Sequence, residues 1–234
     1  MRITVIENEA DAPLGYLADW LGLPCDVIRP YLGEEIPGRA ADGLIVLGGD
    51  AAAWEDERCP WLPATRELLR RAVEEGTPTL GVCLGAQLLT LACGGAVERG
   101  ADGLEVGACE VVALPAASDD PLLSGVGRAV AVQYHRDAMT RLPEGAVPLM
   151  TGDRYPNQAY RLGDTAWAVQ FHPEATPDIF ASWAAGNGLE HLDAPVRAAA
   201  PALESAWRPV AEAFAGVVRA HARSLQMRSE PAAG

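Results

Sequence analysis

The sequence predicts an α/β fold built around a central, mostly parallel β-sheet and closed by a helical C-terminal tail. Three observations lead there. Short β-branched and aliphatic runs alternate with stretches whose apolar residues recur at helical spacing, the sign of βαβ units. Two of those runs end abruptly in glycine-rich turns, as strands that deliver a loop to a sheet edge do. The middle of the chain then changes character: its short runs are separated only by Gly, Pro and Asp turns, which adds antiparallel or mixed strands.

The elements can be justified in order. Ile3 to Ile6 is a short β-branched run and reads as a buried strand, followed by an acidic turn from Glu7 to Asp11 and a helix from Pro13 to Leu21. Cys25 to Ile28 and Gly43 to Leu47 are the second and third strands, the latter ending in Gly48-Gly49-Asp50. Pro60 to Glu75 is a helix with Leu68, Leu69, Ala72 and Val73 on its apolar face. Thr79 to Val82 is a strand that runs into Cys83, and the helix Leu84 to Cys93 is stopped by Gly94-Gly95. Leu104 to Leu114, Ala129 to Tyr134, Val147 to Met150, Gln158 to Leu162 and Ala166 to Gln170 are the strands of the middle region. Asp178 to Ala185 is helical, and so is Asp193 to about Leu225, with interruptions expected at Pro201 and Pro209 because proline lacks the helix donor. Ser229 to Gly234 are expected to fray. No internal repeat and no long Pro/Gly/Ser linker divides the chain.

Composition removes several classes of function. With 18 basic and 32 acidic residues the net charge is −14, so the basic face that nucleic acid or an anionic membrane requires is not expected. Every basic residue is arginine, which excludes a Walker A lysine and any Schiff-base lysine chemistry in this chain. None of the five cysteines is in CxxC spacing, so a zinc site is not expected. The start, MRITVIENEA, carries no signal peptide, and no apolar run reaches the ~18 residues of a membrane span. The expected compartment is the reducing cytoplasm, where a single cysteine can be reactive.

The strongest local signal is Gly81-Val82-Cys83-Leu84-Gly85 between a strand and a helix, the context of a nucleophile elbow. Such a turn raises one side chain above the sheet, places its thiol at a helix N-terminus that favours thiolate, and aims the Leu84 N–H at a bound carbonyl. A buried core cysteine before an ordinary helix is an equal reading of that run alone. A nucleophilic Cys needs a base, and the base needs an orienting group. His172 follows a strand in Ala168-Val169-Gln170-Phe171-His172-Pro173-Glu174, with Glu174 two residues on across a rigid proline. A lone strand-end histidine is usually a core or solvated one; beside an elbow, His-Pro-Glu is far more specific.

The segments GVCLGAQ and VQFHPE resemble the class I glutamine amidotransferases of the Cys-His-Glu type, and among them the stand-alone relatives of the GMP synthetase glutaminase domain. The resemblance covers roughly residues 3–185 and implies a flavodoxin-like three-layer sandwich with Cys83, His172 and Glu174 as triad. It implies residues 1–190 as the amidotransferase domain, with residues 191–234 as a helical extension packed on it. Gly48 and Gly49 match the loop that supplies the other half of an oxyanion hole to Leu84, although Leu47 stands where relatives often carry Pro, which predicts a looser loop. Gln87 matches a substrate-contacting helix residue. Arg136 and Asp137 match the positions that hold the α-carboxylate and α-amine of glutamine, a solvated turn pair being the competing reading. His135 is expected to shape the pocket.

The implied substrate is L-glutamine, hydrolysed through a γ-glutamyl thioester with no metal or organic cofactor. The implied partner is a separate synthetase or transferase chain that takes up the ammonia. A self-sufficient hydrolase of γ-glutamyl amides or peptides is the alternative, and a non-catalytic regulatory module of the same fold is a third.

Overall fold

Over residues 1–229, which the computed structural model describes, eleven strands and five α-helices follow one another. The parallel half of the main sheet consists of β1 (Ile3–Ile6), β2 (Cys25–Ile28), β3 (Gly43–Val46), β4 (Thr79–Val82) and β11 (Ala166–Val169), in the order β2-β1-β3-β4-β11. All but the edge strand β2 are buried along their length. That is why they read as unbroken apolar runs and not as alternating ones. The sheet continues antiparallel from β11 through β10 (Ala159–Leu162), β9 (Val147–Gly152), β6 (Glu105–Ala113) and β7 (Arg128–His135). A separate two-stranded ribbon pairs β5 (Ala96–Arg99) with β8 (Asp137–Arg141).

Helices cover both faces, so the molecule has three layers. Side chains alternate along each strand. Leu44 and Val46 of β3 join α2 (Leu62–Glu75) and α3 (Leu84–Ala92) in one core, with Leu68, Leu69, Leu88 and Leu89. Ile45 faces the other core, shared with α1 (Leu17–Trp20), α4 (Pro177–Ala184) and α5 (Asp193–Ser229). This is the flavodoxin-like sandwich with a helical tail. Among the described residues no helix is long and apolar enough to cross a membrane.

Three local expectations are corrected. The helix expected from Pro13 to Leu21 shrinks to one turn, because Gly15 takes a left-handed φ of 48° and a Cβ there would lie 2.1 Å from the Glu174 carbonyl oxygen. The tail helix is not interrupted: Pro201 and Pro209 lie inside α5. Both prolines are exposed, so the carbonyls they free can meet water. The opposite stripe of Val196, Leu203, Trp207, Phe214 and Val218 is buried, at about 1.5–3 kcal/mol per side chain, and holds the helix together. Strands β5 and β8 were not expected at all. Of the segment expected to fray, Ser229 ends α5 and residues 230–234 lie outside the described residues.

Candidate active site

Cys83 caps the N-terminus of α3 with φ 50° and ψ −107°, and among the described residues it alone of the non-glycines has positive φ. A backbone so strained for an L-residue persists only where its surroundings impose it, and such strain gathers at functional sites. Two close approaches impose it here. A Cβ on Gly81 would lie 2.7 Å from Gly85 O, and one on Gly85 would lie 2.0 Å from Val46 O. The glycines of the motif therefore let α3 settle on β3 and β4, which fixes the direction in which the thiol leaves the strand.

His172 reaches the thiol from the neighbouring strand. Val82 pairs with Val169 in register, and Cys83 N–H donates to Val169 O at 2.9 Å, so the segments after β4 and β11 emerge side by side. His172 N–H then donates to Val132 O of β7 at 2.8 Å, which fixes the turn carrying the imidazole. Its Nδ1 lies 2.7 Å from Glu174 Oε1, with both side chains buried. Glu174 is held through its backbone: Tyr16 N–H donates to Glu174 O at 2.9 Å. Burial lowers the affinity of the imidazole for its proton. The Glu174 carboxylate and the Cys83 sulfur more than offset that and raise the pKa to about 10. Trp183 packs on the imidazole at 4.7 Å between centroids, and its Nε1–H donates to Asp11 O at 2.8 Å.

The Gly48-Gly49 loop is tied at both ends, which differs from the looseness expected of Leu47. Leu47 N–H donates to Ile6 O at 3.0 Å, and Asn8 Nδ2–H donates to Leu47 O at 2.8 Å. Beyond the pair, Asp50 N–H donates to Glu9 Oε2 at 2.7 Å. Gly48 lies against His172, where a Cβ would come within 2.9 Å of Cε1. Gly49 lines the cavity, and the space a side chain would take there is bounded by Leu84 of α3.

That cavity measures about 600 Å³ and is lined by Gly49, Gln87, Tyr134, Arg136, Asp137 and His172, among others. Arg136 is exposed at its wall, and Asp137 is buried. Arg99 Nε lies 3.1 Å from Asp137 Oδ1, an ion pair whose alignment does not make a hydrogen bond, so this buried oxygen is left without a hydrogen-bond partner. Burial pushes the Asp137 carboxyl above its ordinary value. Gln87 also lines the cavity, but its amide nitrogen already donates to Asp137 O at 3.2 Å and to Gln170 Oε1 at 3.4 Å. His135 is buried behind them, with Nδ1 2.9 Å from Asp137 O and Nε2 2.9 Å from Glu105 Oε2.

Sequence reasoning passed over Asn8, Glu9, Trp183, Glu105 and Gln170. Only Gln170 carried a signal, standing in the same run as His172. Burial pushes the thiols of Cys93 and Cys109 up to about 11 and also raises those of Cys25 and Cys59, which leaves little of any of them as thiolate at neutral pH. Among the described residues no group of three or more His, Cys, Asp and Glu side chains could hold a metal ion. The arrangement can attack a carbonyl carbon with sulfur, donate a proton to a leaving group and hold an anion on backbone N–H groups.

A family model described as glutamine amidotransferase class-I matches residues 20–185. The chain is similar to the glutamine amidotransferase-like protein YfeJ of Salmonella typhimurium, at 28% identity over 184 residues, 75% of this chain and 77% of that protein. It is also similar to a glutamine-hydrolyzing GMP synthase of Thermosipho africanus, at 33% identity over 168 residues, 71% of this chain but only 29% of the synthase. A glutamine amidotransferase from Thermotoga maritima shares the fold, with a TM-score of 0.80 at 24% identity over 92% of this chain and 98% of that one. A glutamine amido transferase from Methylobacillus flagellatus gives 0.73 at 26% identity over 96% and 94%.

Proposed function

Since the chain belongs to the class I glutamine amidotransferase family, whose members hydrolyse glutamine, we propose that it is a glutaminase with Cys83 as nucleophile, His172 as acid and base, and Glu174 as the group that orients the imidazole. The observation that carries this is the strained Cys83 beside a buried imidazole that Glu174 binds at 2.7 Å. Arg136 takes the α-carboxylate of glutamine and Asp137 its α-ammonium, with Gln87 at the cavity wall and Gly48 behind it leaving room for the His172 imidazole. The Cys83 thiolate attacks the side-chain amide carbon. The oxyanion forms against the Gly49 and Leu84 N–H groups, each donor of this kind being worth roughly 2.7–4 kcal/mol. Imidazolium His172 protonates the departing ammonia and a γ-glutamyl thioester remains.

The exchange of roles at His172 follows from charge. Part of what raises its pKa is the negative sulfur of Cys83. Acylation removes that charge, the imidazole releases its proton more readily, and it becomes the base that activates water. Water attack returns glutamate and the thiol. In this reading residues 1–190 are the glutaminase unit and the helix that follows covers it, a division supported by a family match that ends at residue 185. The ammonia goes to a separate synthetase or transferase, as the long GMP synthase relative suggests, of which the chain spans 29%.

Two observations favour a second reading, a self-sufficient γ-glutamyl amide hydrolase. The cavity of about 600 Å³ falls within the range that takes drug-sized ligands and is roomy for one amino acid. The oxyanion loop is already tied by Asn8 and Glu9, so nothing in it waits for a partner. Steady-state release of glutamate from glutamine and from γ-glutamyl conjugates separates the two. Slow turnover of every substrate by the chain alone supports a partnered glutaminase, and fast turnover of a conjugate supports the hydrolase. Equal rates for the chain and its Cys83→Ala variant would remove both.

A further inference from the structure

We propose that Gln170 is a positioning residue that sets the ionisation of the Cys83 sulfur, and that Gln87 holds it in the orientation this requires. The inference rests on Cys83 being the nucleophile, and adds a donor that the triad does not contain.

Gln170 follows β11 directly, as Cys83 follows β4, so the paired strands deliver the two residues together. Gln170 N–H donates to Gln158 O at 2.8 Å, which fixes its backbone. Its side chain is wholly buried, and its Nε2–H donates to Cys83 Sγ at 3.8 Å. The carbonyl of Tyr134 lies 4.0 Å from the same sulfur. These two groups pull in opposite directions. A carbonyl accepts from S–H and favours the thiol, whereas an amide N–H favours the anion. With water excluded from Gln170, its donor faces no competition from solvent.

An amide presents a donor or an acceptor according to which way it is turned. Gln87 decides the matter. Its Nε2–H donates to Gln170 Oε1 at 3.4 Å, so the Gln170 oxygen is drawn away from the sulfur and the NH2 is left facing it. Turned over, Gln170 would set two NH2 groups against each other and an oxygen against a thiolate. Gln87 is fixed in turn by its second hydrogen bond, to Asp137 O at 3.2 Å. The two glutamines thus join the strand that carries the proposed ammonium anchor to the nucleophile.

The test is the pH profile of iodoacetamide alkylation at Cys83, followed by peptide mapping without glutamine, in the parent and in Gln170→Met, Gln170→Glu and Gln87→Met. Folding is verified by near-UV circular dichroism. A hydrogen bond to a charged group corresponds to about one pH unit or somewhat more. Gln170→Met should therefore move the midpoint of the profile to higher pH by about one unit, and Gln170→Glu, which sets a carboxylate there, should move it further. Gln87→Met should produce part of the shift. For glutamine hydrolysis, Gln170→Met should lower kcat with little change in KM, since the interaction concerns the nucleophile and not substrate binding. A Cys83 profile unmoved in Gln170→Met overturns the proposal and leaves the triad standing; should that variant not fold, an unmoved profile in Gln87→Met does the same. Parent labelling at a cysteine other than Cys83 overturns the nucleophile assignment and this proposal with it.

Discussion

Cys83, His172 and Glu174 differ from their surroundings in ways that can be measured one residue at a time. Burial raises the other four thiols, Cys93 and Cys109 to about 11, whereas Cys83 stands at the N-terminus of α3 beside His172. Limiting iodoacetamide at neutral pH should label Cys83 first; preferential labelling of Cys93 or Cys109 would contradict the assignment. Burial lowers the pKa of His172, but Glu174 and Cys83 outweigh it and push the imidazole up to about 10. The predicted kcat/KM profile for glutamine accordingly falls on an alkaline limb near pH 10. Glu174→Gln removes one source of that shift, so its limb should move to lower pH, with kcat down by about 10²-fold or more. His172→Ala, which removes the base itself, should be at least as damaging. An unchanged profile in Glu174→Gln would take the carboxylate out of the mechanism. Stability follows the same sign: a raised histidine pKa stabilises fully below its ordinary value of 6.5, and that contribution fades as pH climbs to about 10.

At the level of elements, the elbow depends on how closely α3 lies on β3. A Cβ at Gly85 would come 2.0 Å from Val46 O, while Gly38 has nothing within 4 Å and no left-handed φ. Chemical denaturation should show Gly85→Ala destabilised by at least about 1–3 kcal/mol and Gly38→Ala changed by no more than about 0.5 kcal/mol. Similar values for the two would mean that the glycine serves no packing role. Asn8→Ala strips the donor from the Leu47 carbonyl, a loss of about 1–3 kcal/mol, and should lower kcat through the oxyanion loop. The elbow was legible in the sequence because all it needs is local: an apolar run, two glycines and a helical pattern in adjacent residues. The same holds for His172 and Glu174, two residues apart. What was not legible depends on distant partners. The helix expected from Pro13 begins only at Leu17, because Gly15 meets the backbone of Glu174 in a left-handed conformation. β5 and β8 find each other across about forty residues, and Asp137–Arg141 carries no apolar period to announce a strand. Asn8 and Glu9 sit in an acidic turn whose task is visible only once Leu47 and Asp50 lie beside it.

Across the whole molecule, α5 ties the end of the described chain to the segment that carries His172. Trp207 is buried, packs on Phe171 at 4.6 Å between centroids, and donates from Nε1 to Val130 O at 2.9 Å. Phe171 precedes His172, and Val132 accepts from the His172 N–H, so the helix braces His172 from both sides. Trp207→Ala should cost about 3–5 kcal/mol, a fall in Tm on the order of 10 °C, and should lower turnover as well. A variant that loses stability while keeping full kcat would separate the helix from the site. The sequence disclosed that this tail is helical but not that it is continuous, since the buried stripe that carries it past Pro201 and Pro209 is defined only by the sheet it covers. The central claim is that the cysteine raised on this scaffold carries the acyl group. The most direct measurement mixes the protein with glutamine, quenches in acid within a turnover, and locates the γ-glutamyl adduct by peptide mass mapping. The predicted result is a thioester on Cys83, absent from Cys83→Ala. Glutamate formed with no adduct on Cys83, and formed equally by Cys83→Ala, would contradict it.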